Sequence, residues 1–532
     1  MRTQVPAIYK KKRLEFLNKR VNMKQERNQL KIGVILNYIN MGVGNLIPIF
    51  YTPIMLSLLG QSEYGLYKLS SGVTSYLSLI SMGIGSAVTR YLIKANTEEG
   101  KDAEEKVLGL FMIIFQVIAV LSFVIGCIIT FNLDIWYAGS LNDVELWRMK
   151  ILVFLMVCNT ALSFSLSPYV SVVSTHERFI FLQCMNIITT CVGPLLNIVV
   201  LYLGYASIGM TVSTLVIGII TRFVYLYYVR HVLSIKAQYK KLPIHLLKEI
   251  LTFSFWIFVA NIVSQLYNAT DTVMIGAIPA LGTVGVAIYN VGGTFNNIVF
   301  SLTTGVSSLL GTKTNKMVFA GATDYELTNL AIKVGRLQGY IISLIVTGFI
   351  AFGKPFIQLY AGTGYDEAYW VAILMMVPNM IPLVQSVCLS IIVAKNKHKF
   401  RSLVYLGIAV INVIGTWFMM QIWGVIGAAL MTGVAVVLGQ GLVMNWYYWK
   451  KTGLDMKRFW KEVGKIYVIP SGMCIMTLII GNWIDFYKIR YMISGIILYT
   501  IIYCVLNWKI VLNNYEKALV NEPVNQILKR RR

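Results

Sequence analysis

Residues Thr52–Gly85 recur, without a gap, 220 positions further along the chain. Thr52 falls on Thr272, Gly65 on Gly285, Gly72 on Gly292, Thr74 on Thr294, Ser81 on Ser301 and Gly85 on Gly305. Later landmarks hold nearly the same register. His176-Glu177-Arg178-Phe179 lies against Lys397-His398-Lys399-Phe400, offset by 221, and Gly209 against Gly427, offset by 218. So constant an offset points to one block present twice, and each copy must then bury its own apolar face.

What fills the two copies is apolar. The chain is 57% hydrophobic and 13% charged, with mean hydropathy +0.66, which excludes an ordinary soluble domain. Runs of roughly 20 apolar residues, the length of a membrane-crossing helix, recur from Lys31 to Lys509. They lie near 32–58, 65–90, 106–131, 149–173, 179–203, 206–229, 249–278, 284–311, 329–352, 367–394, 402–422, 424–449, 465–484 and 490–510. The expectation is an all-α integral membrane protein of about 14 transmembrane helices. A basic tail (1–31) precedes an N-lobe of six spans (32–230). A charged linker (231–248), read as interfacial and amphipathic, leads to a C-lobe of six spans (249–450). Two further spans (451–511) and a basic tail (512–532) complete the chain. Six spans is an even number, so both lobes enter the membrane in the same direction and should be related by a pseudo-two-fold axis along its normal.

The net charge of +24 suggests nucleic acid, but its distribution argues against that. With 14 spans the loops alternate between two sides, and nearly all lysines and arginines fall on one. Only Lys68, Arg148, Lys150, Lys354, Lys488 and Arg490 fall on the other, and Arg222 lies within a span. Basic loops stay inside, so both termini are expected to be cytoplasmic and the charge to set topology. At most it also attracts anionic lipid, at about 1 kcal/mol per nearby charge. Lys10-Lys11-Lys12-Arg13 leads into no short apolar core with a cleavage site, so the first span is expected to be retained.

Enzyme signals do not occur. There is no Walker A loop, Gly-x-Ser-x-Gly or His-Glu-x-x-His, and the outward loops are short. The four histidines (His176, His231, His245, His398) form no cluster, and the seven cysteines lie inside apolar runs without ligand spacing. No metal site is expected, and no cofactor beyond a gradient of H+ or Na+.

Polar residues inside the spans carry the functional signal. Asn290, Thr294, Asn297, Ser301 and Thr304 follow one another at steps of four and three, on one face of span eight. Span seven offers Asn261, Gln265, Asn268 and Thr272, and span one Asn37, Asn40 and Asn45. Isolated amides glue helices at about 0.6 kcal/mol per bond; registered stripes on corresponding helices indicate a hydrated cavity. In span two, Lys68, Ser71, Ser75 and Ser78 share one face, whereas the repeat maps the span-eight stripe onto Ser70, Thr74 and Ser81. Either face fits a cavity, and Lys68 also fits snorkelling to the interface. Arg90, Arg222 and Arg336 lie near the expected cytoplasmic ends of spans two, six and nine, where membrane anchoring and phosphate binding both fit. Asp271 lies within span seven, as a structural partner or an ion-coupling carboxylate.

At these residues the chain resembles a known family. Leu58-Leu59-Gly60-Gln61-Ser62-Glu63-Tyr64-Gly65-Leu66-Tyr67, followed by Met82-Gly83-Ile84-Gly85-Ser86-Ala87-Val88-Thr89-Arg90, is similar to the opening signature of Wzx-type polysaccharide-unit flippases. These form the polysaccharide-transporter branch of the exporter superfamily that includes the multidrug MATE transporters. Asn268-Ala269-Thr270-Asp271, Ile275-Gly276 and Val284-Gly285-Val286-Ala287-Ile288-Tyr289 resemble its second-half signature. The resemblance covers about 31–510, including the two extra helices. It implies a MATE-like fold in the bacterial plasma membrane. It also implies flipping of an undecaprenyl-diphosphate-linked oligosaccharide to the outer leaflet by alternating access, with ion-gradient coupling. Glycosyltransferases and a polymerase would be the partners. Arg90 and Asp271 match positions that recur in the family, whereas Lys68 replaces a residue that is commonly small or apolar. The basic first span of the lipid II flippase subfamily is replaced here by asparagines. The alternatives are a MATE-like small-molecule exporter and a membrane-embedded polymerase or other glycan-assembly protein.

Overall fold

The apolar runs fold as helices, because a segment without access to water must satisfy its backbone hydrogen bonds internally. The computed structural model describes the backbone of residues 7–81, 83–395, 397–519 and 521. The side chains of 7–28, 30–31, 256, 260, 263–264, 267–268, 305–313 and 398–399 are outside the description. In chain order the first helices are α1 (Ala7–Leu59), α2 (Gln61–Ser75), α3 (Ile84–Glu99), α4 (Lys101–Phe131), α5 (Leu133–Tyr137), α6 (Asp143–Thr175), α7 (Phe179–Tyr202) and α8 (Ala206–Tyr227). They are followed by α9 (Leu246–Asn268), α10 (Thr270–Ala277), α11 (Gly282–Phe319), α12 (Asp324–Ala361), α13 (Asp366–Val384), α14 (Ser386–Ala394) and α15 (His398–Val436). The last are α16 (Met444–Thr452), α17 (Met456–Ile480) and α18 (Ile489–Leu506).

Eleven helical stretches are long and apolar enough to cross a membrane among the described residues. One of them, Phe400–Thr452, takes in two of the expected spans, since Trp423 and Gly424 (φ 56°) leave helical geometry and turn the chain within α15. The expected seventh and eighth spans correspond to α9 with α10 and to α11.

The chain divides into two compact units, Met1–Gln265 and Leu266–Arg532. The division falls inside α9, not in the linker 231–248 as the sequence suggests. The first part of α9 packs on the preceding helices: Gly83 offers no Cβ where Ile257 Cγ2 would approach to 2.5 Å, and Gln265 donates to the Ser75 hydroxyl. The linker itself is not helical from Leu233 to His245. Lys236 and Gln238 donate backbone N–H groups to Glu105 of α4, at 3.1 Å to its side chain and 2.9 Å to its carbonyl. A Cβ at Gly109 would meet the Gln238 carbonyl at 1.8 Å, so this strap lies flat on α4.

The first unit is held by Phe111 and Phe115 of α4 against Tyr169, Val172 and Val173 of α6, all buried. In the second, α17 and α18 pack on α12 through Phe352, Met473, Tyr499 and Tyr503. The tyrosine hydroxyls pair with Thr347 (2.7 Å) and Ser343 (2.9 Å), interhelical bonds that avoid stranding a polar group in hydrocarbon. Outside, isoleucine, valine and leucine stay exposed along the helices, as do Trp136, Trp147 and Tyr205 of the first unit and Trp483 of the second, each at or next to a helix end. Such a surface suits acyl chains bounded by an interface.

The repeat-related glycines mark the same feature twice. A Cβ at Gly209 would lie 2.4 Å from Val200 Cγ1, and one at Gly427 would lie 2.1 Å from the Met419 carbonyl. Both glycines let a helix return closely against the one before it. The collision at Gly427 is with backbone and cannot be relieved by a rotamer change. Gly427→Ala is therefore expected to lower stability by about 1–3 kcal/mol, read as an earlier thermal unfolding of the detergent-solubilised protein; an unchanged midpoint would contradict the close approach.

Candidate functional site

In the first unit the second span is broken. α2 ends in a 3-10 turn over Tyr76–Ser81, and α3 restarts after Gly83, whose φ of 69° is left-handed. A broken helix at membrane depth is tolerated where it lines protein or water. The break also decides which face of α2 is open. Ser71 and Ser78 are exposed, Lys68 and Ser75 half-buried, while Ser70, Thr74 and Leu77 are buried. The expected cavity residue Thr74 is therefore a packing residue: its hydroxyl donates to the Ser70 carbonyl (2.9 Å) and touches Met156 Sδ (3.5 Å). The repeat misleads here because it preserves sequence register but not rotation about a broken axis. Lys68 places its ammonium 5.5 Å from the Tyr64 ring.

Three helices of the same unit, α6, α7 and α8, line an open pocket of about 410 Å³. Asn159, Ser163, Ser167, Thr189, Thr214 and Arg222 line it. Arg222 donates to Asn159 Oδ1 at 3.1 Å. Gly218 makes that reach possible, since a Cβ there would lie 2.7 Å from Arg222 Nη1 and 2.8 Å from Asn159 Oδ1. Arg222 lies five residues, about 7.5 Å of helix, before the end of α8, and helical turns of π type continue to Val232. Arg90 of α3 is exposed, its guanidinium 4.8 Å from the Phe253 ring. Among the described residues none of Lys68, Arg90 and Arg222 forms an ion pair.

The second unit holds the buried carboxylate of Asp271. The seventh span breaks between α9 and α10, and Asp271 falls in the first turn of α10, where a helix N-terminus favours a carboxylate. Asp271 is buried, 2% exposed. Its Oδ2 accepts from the Tyr289 hydroxyl of α11 and from Thr432 Oγ1 of α15 at 2.7 Å. Asn412 donates to Thr432 at 3.4 Å, and Thr416 donates to Asn412 Oδ1 at 3.4 Å. Asp271 Oδ1 accepts no hydrogen bond among the described residues. An oxygen-only nest with one carboxylate matches the donor set for a proton or a hard monovalent cation. Tyr289 closes the second-half signature, whereas Asn412, Thr416 and Thr432 carry no sequence signal beyond Asn412 and Thr416 standing four apart in an apolar run.

The other candidates separate by environment. On α11, Asn297 is exposed and Asn290, Thr294 and Ser301 half-buried, while Val291, Phe295 and Val299 on the opposite face are core. Asn290 also bonds Thr272 at 3.3 Å, linking the stripe to the residue beside Asp271. On α1, Asn37 is exposed and Asn40 and Asn45 half-buried, with Asn45 bonded to the Met41 carbonyl at 2.9 Å. Asn261 is exposed, and the side chain of Asn268 lies outside the described residues. Of the two roles open to Arg336, anchoring and phosphate binding, its surroundings favour a buried structural cation. Its Nε and Nη2 grip Glu516 at 2.6 and 2.9 Å, and the Glu462 and Val511 carbonyls and the Tyr340 hydroxyl take its remaining contacts.

Residues 30–309, more than half of the chain, match the polysaccharide biosynthesis protein family. The chain belongs to this family. It is a multi-pass membrane protein with the fold shared by flippases and MATE transporters. Across 90% of this chain and all of the other, the family member superimposes on the lipid II flippase MurJ in an inward closed conformation, with a TM-score of 0.70 and 15% identity. It superimposes on the MATE multidrug transporter DinF-BH over 80% of this chain and 96% of the other, with a TM-score of 0.54 and 14% identity. An inward-facing multidrug resistance MATE transporter of the MOP superfamily gives 0.57 over 76% and 96%, at 14% identity. No curated protein matches the sequence.

Proposed function

We propose that this protein carries an undecaprenyl-diphosphate-linked oligosaccharide from the cytoplasmic to the outer leaflet of a bacterial plasma membrane. Transport proceeds by alternating access and is driven by H+ or Na+ through Asp271. Both termini face the cytoplasm, and glycosyltransferases and a polymerase act before and after it. The observation that carries this reading is the division of charge within a polysaccharide-biosynthesis protein. The first unit holds Lys68, Arg90 and Arg222 with no acidic partner among the described residues, Arg222 lying among hydroxyl and amide groups, and in the second Asp271 is a buried carboxylate with no cationic partner among the described residues. Neutral donors and acceptors suit sugar hydroxyls, and guanidinium suits an anionic carrier. A cationic drug would be repelled by Lys68, Arg90 and Arg222, which disfavours the multidrug alternative.

The test is movement of a fluorescently marked lipid-linked oligosaccharide between leaflets of vesicles containing the purified protein. Transport should rise with an imposed ion gradient. Asn297→Leu removes an exposed amide while keeping helix and volume. It is expected to slow transport several-fold at unchanged protein yield. Full transport by that variant would assign the α11 stripe to packing, and no transport by the wild type would end the flippase reading.

A further inference from the structure

We propose that the cavity between α6, α7 and α8 holds a carboxylate-bearing sugar of the cargo, so that the exported glycan is acidic. The inference rests on the flippase reading and adds to it the chemical class of the glycan. A guanidinium deep in a span costs at least ~2.5–3.5 kcal/mol unless it meets a partner or a wet cavity. Arg222 meets a cavity: it has Asn159 at 3.1 Å, no carboxylate within ion-pair distance among the described residues, and serine and threonine hydroxyls around it. Asn159 gives its carbonyl oxygen to Arg222, which leaves its NH2 as a second donor. Gly218 keeps open the gap in which these two groups meet.

Depth separates the two anions that a lipid-linked glycan offers. The polyprenyl tail keeps the diphosphate at headgroup level, whereas Arg222 lies eight residues, about 12 Å of helix, inside Arg230, the first basic residue at that end. Half of a hydrocarbon core is about 15 Å, so Arg222 stands well below the headgroups. There it addresses sugars that reach inward past the diphosphate. A cavity of about 410 Å³ falls within the range of small-ligand sites. A fork of guanidinium donors beside neutral hydroxyls matches a uronate-type ring, with a carboxylate for the fork and hydroxyls for the rest.

The experiment measures binding of three probes to the full-length protein in nanodiscs: a glucuronate-containing disaccharide, its neutral glucose counterpart and inorganic pyrophosphate. The wild type should prefer the uronate over the neutral disaccharide. In Arg222→Gln and Gly218→Ala that preference should fall about tenfold or more, with partial retention in Arg222→Lys, while each variant keeps the wild-type melting profile. Absence of preference in the wild type, an equal loss for both disaccharides, or a loss confined to pyrophosphate would each overturn the proposal. Selective uronate binding by a wild type that flips no lipid-linked oligosaccharide would sink the flippase reading and leave this one standing.

Discussion

Asp271→Asn is expected to reduce gradient-driven transport to the level seen without a gradient, while the protein folds and is made normally. Asparagine keeps the shape and accepts from Thr432 and Tyr289, which now hold Oδ2. It cannot carry the charge that a cation or proton must neutralise. Coupling free energies of about 1–3 kcal/mol correspond to about 5–150-fold in affinity, and the loss of imposed-gradient flux should fall in that range. Removing a buried charge without changing volume costs little stability, and it can raise it. The two roles therefore separate: an ion-coupling carboxylate loses gradient response with its melting intact, whereas a structural one loses melting first. Undiminished gradient response in Asp271→Asn would remove it from coupling. Thr432→Ala, which deletes one donor and leaves the carboxylate, should produce a smaller change of the same kind.

Glu516→Ala is expected to cost up to about 3–5 kcal/mol, because it leaves the guanidinium of Arg336, only 4% exposed, with the more distant Glu462 carboxylate at 3.9 Å as its counter-charge. Glu516 belongs to the segment after α18. A reciprocal pair with Asn513, at 2.9 Å in both directions, shapes the turn that carries it into α12. Arg336→Met combined with Glu516→Leu should recover most of the loss, since a matched apolar pair avoids stranding either charge. The pH response has a definite sign. Burial pushes Glu516 up, but hydrogen bonds from Arg336 and from the Asn513 backbone, with the adjacent positive charge, hold it below the usual carboxylate range. A depressed folded-state value means the clamp's stability is fully present above the unfolded value of about 4.3. It is lost only as pH falls through the lower, folded value. Thermal unfolding should thus be flat in neutral solution and drop in acid, and the acid drop should shrink in Glu516→Ala. A wild-type melting point that changes through neutral pH instead would assign it to another group.

Arg336 shows why the sequence could not assign its own cations. Arg90, Arg222 and Arg336 share a residue type and a place in apolar runs, yet their surroundings differ. Arg336 is neutralised by a glutamate far along the chain, Arg90 lies over an aromatic ring, and Arg222 opens on a polar cavity. Asp271 was legible as a lone acid in a span. Its companions were not, because Tyr289 of α11 and Asn412 and Thr432 from the two arms of α15 on either side of its kink look like isolated polar residues in apolar runs. Thr74 went the other way: the repeat suggested a cavity, and packing against Met156 made it core.

The sequence by itself determined the helical membrane class and the separation of polar stripes from apolar runs. These are local or periodic properties, written in spacing and composition. Tertiary structure alone decided which face of α2 is open, where the chain divides within α9, and which charges are neutralised. Those outcomes depend on which distant segment occupies the few ångströms beside a side chain, and burial and pairing over such distances leave no periodic trace in the chain.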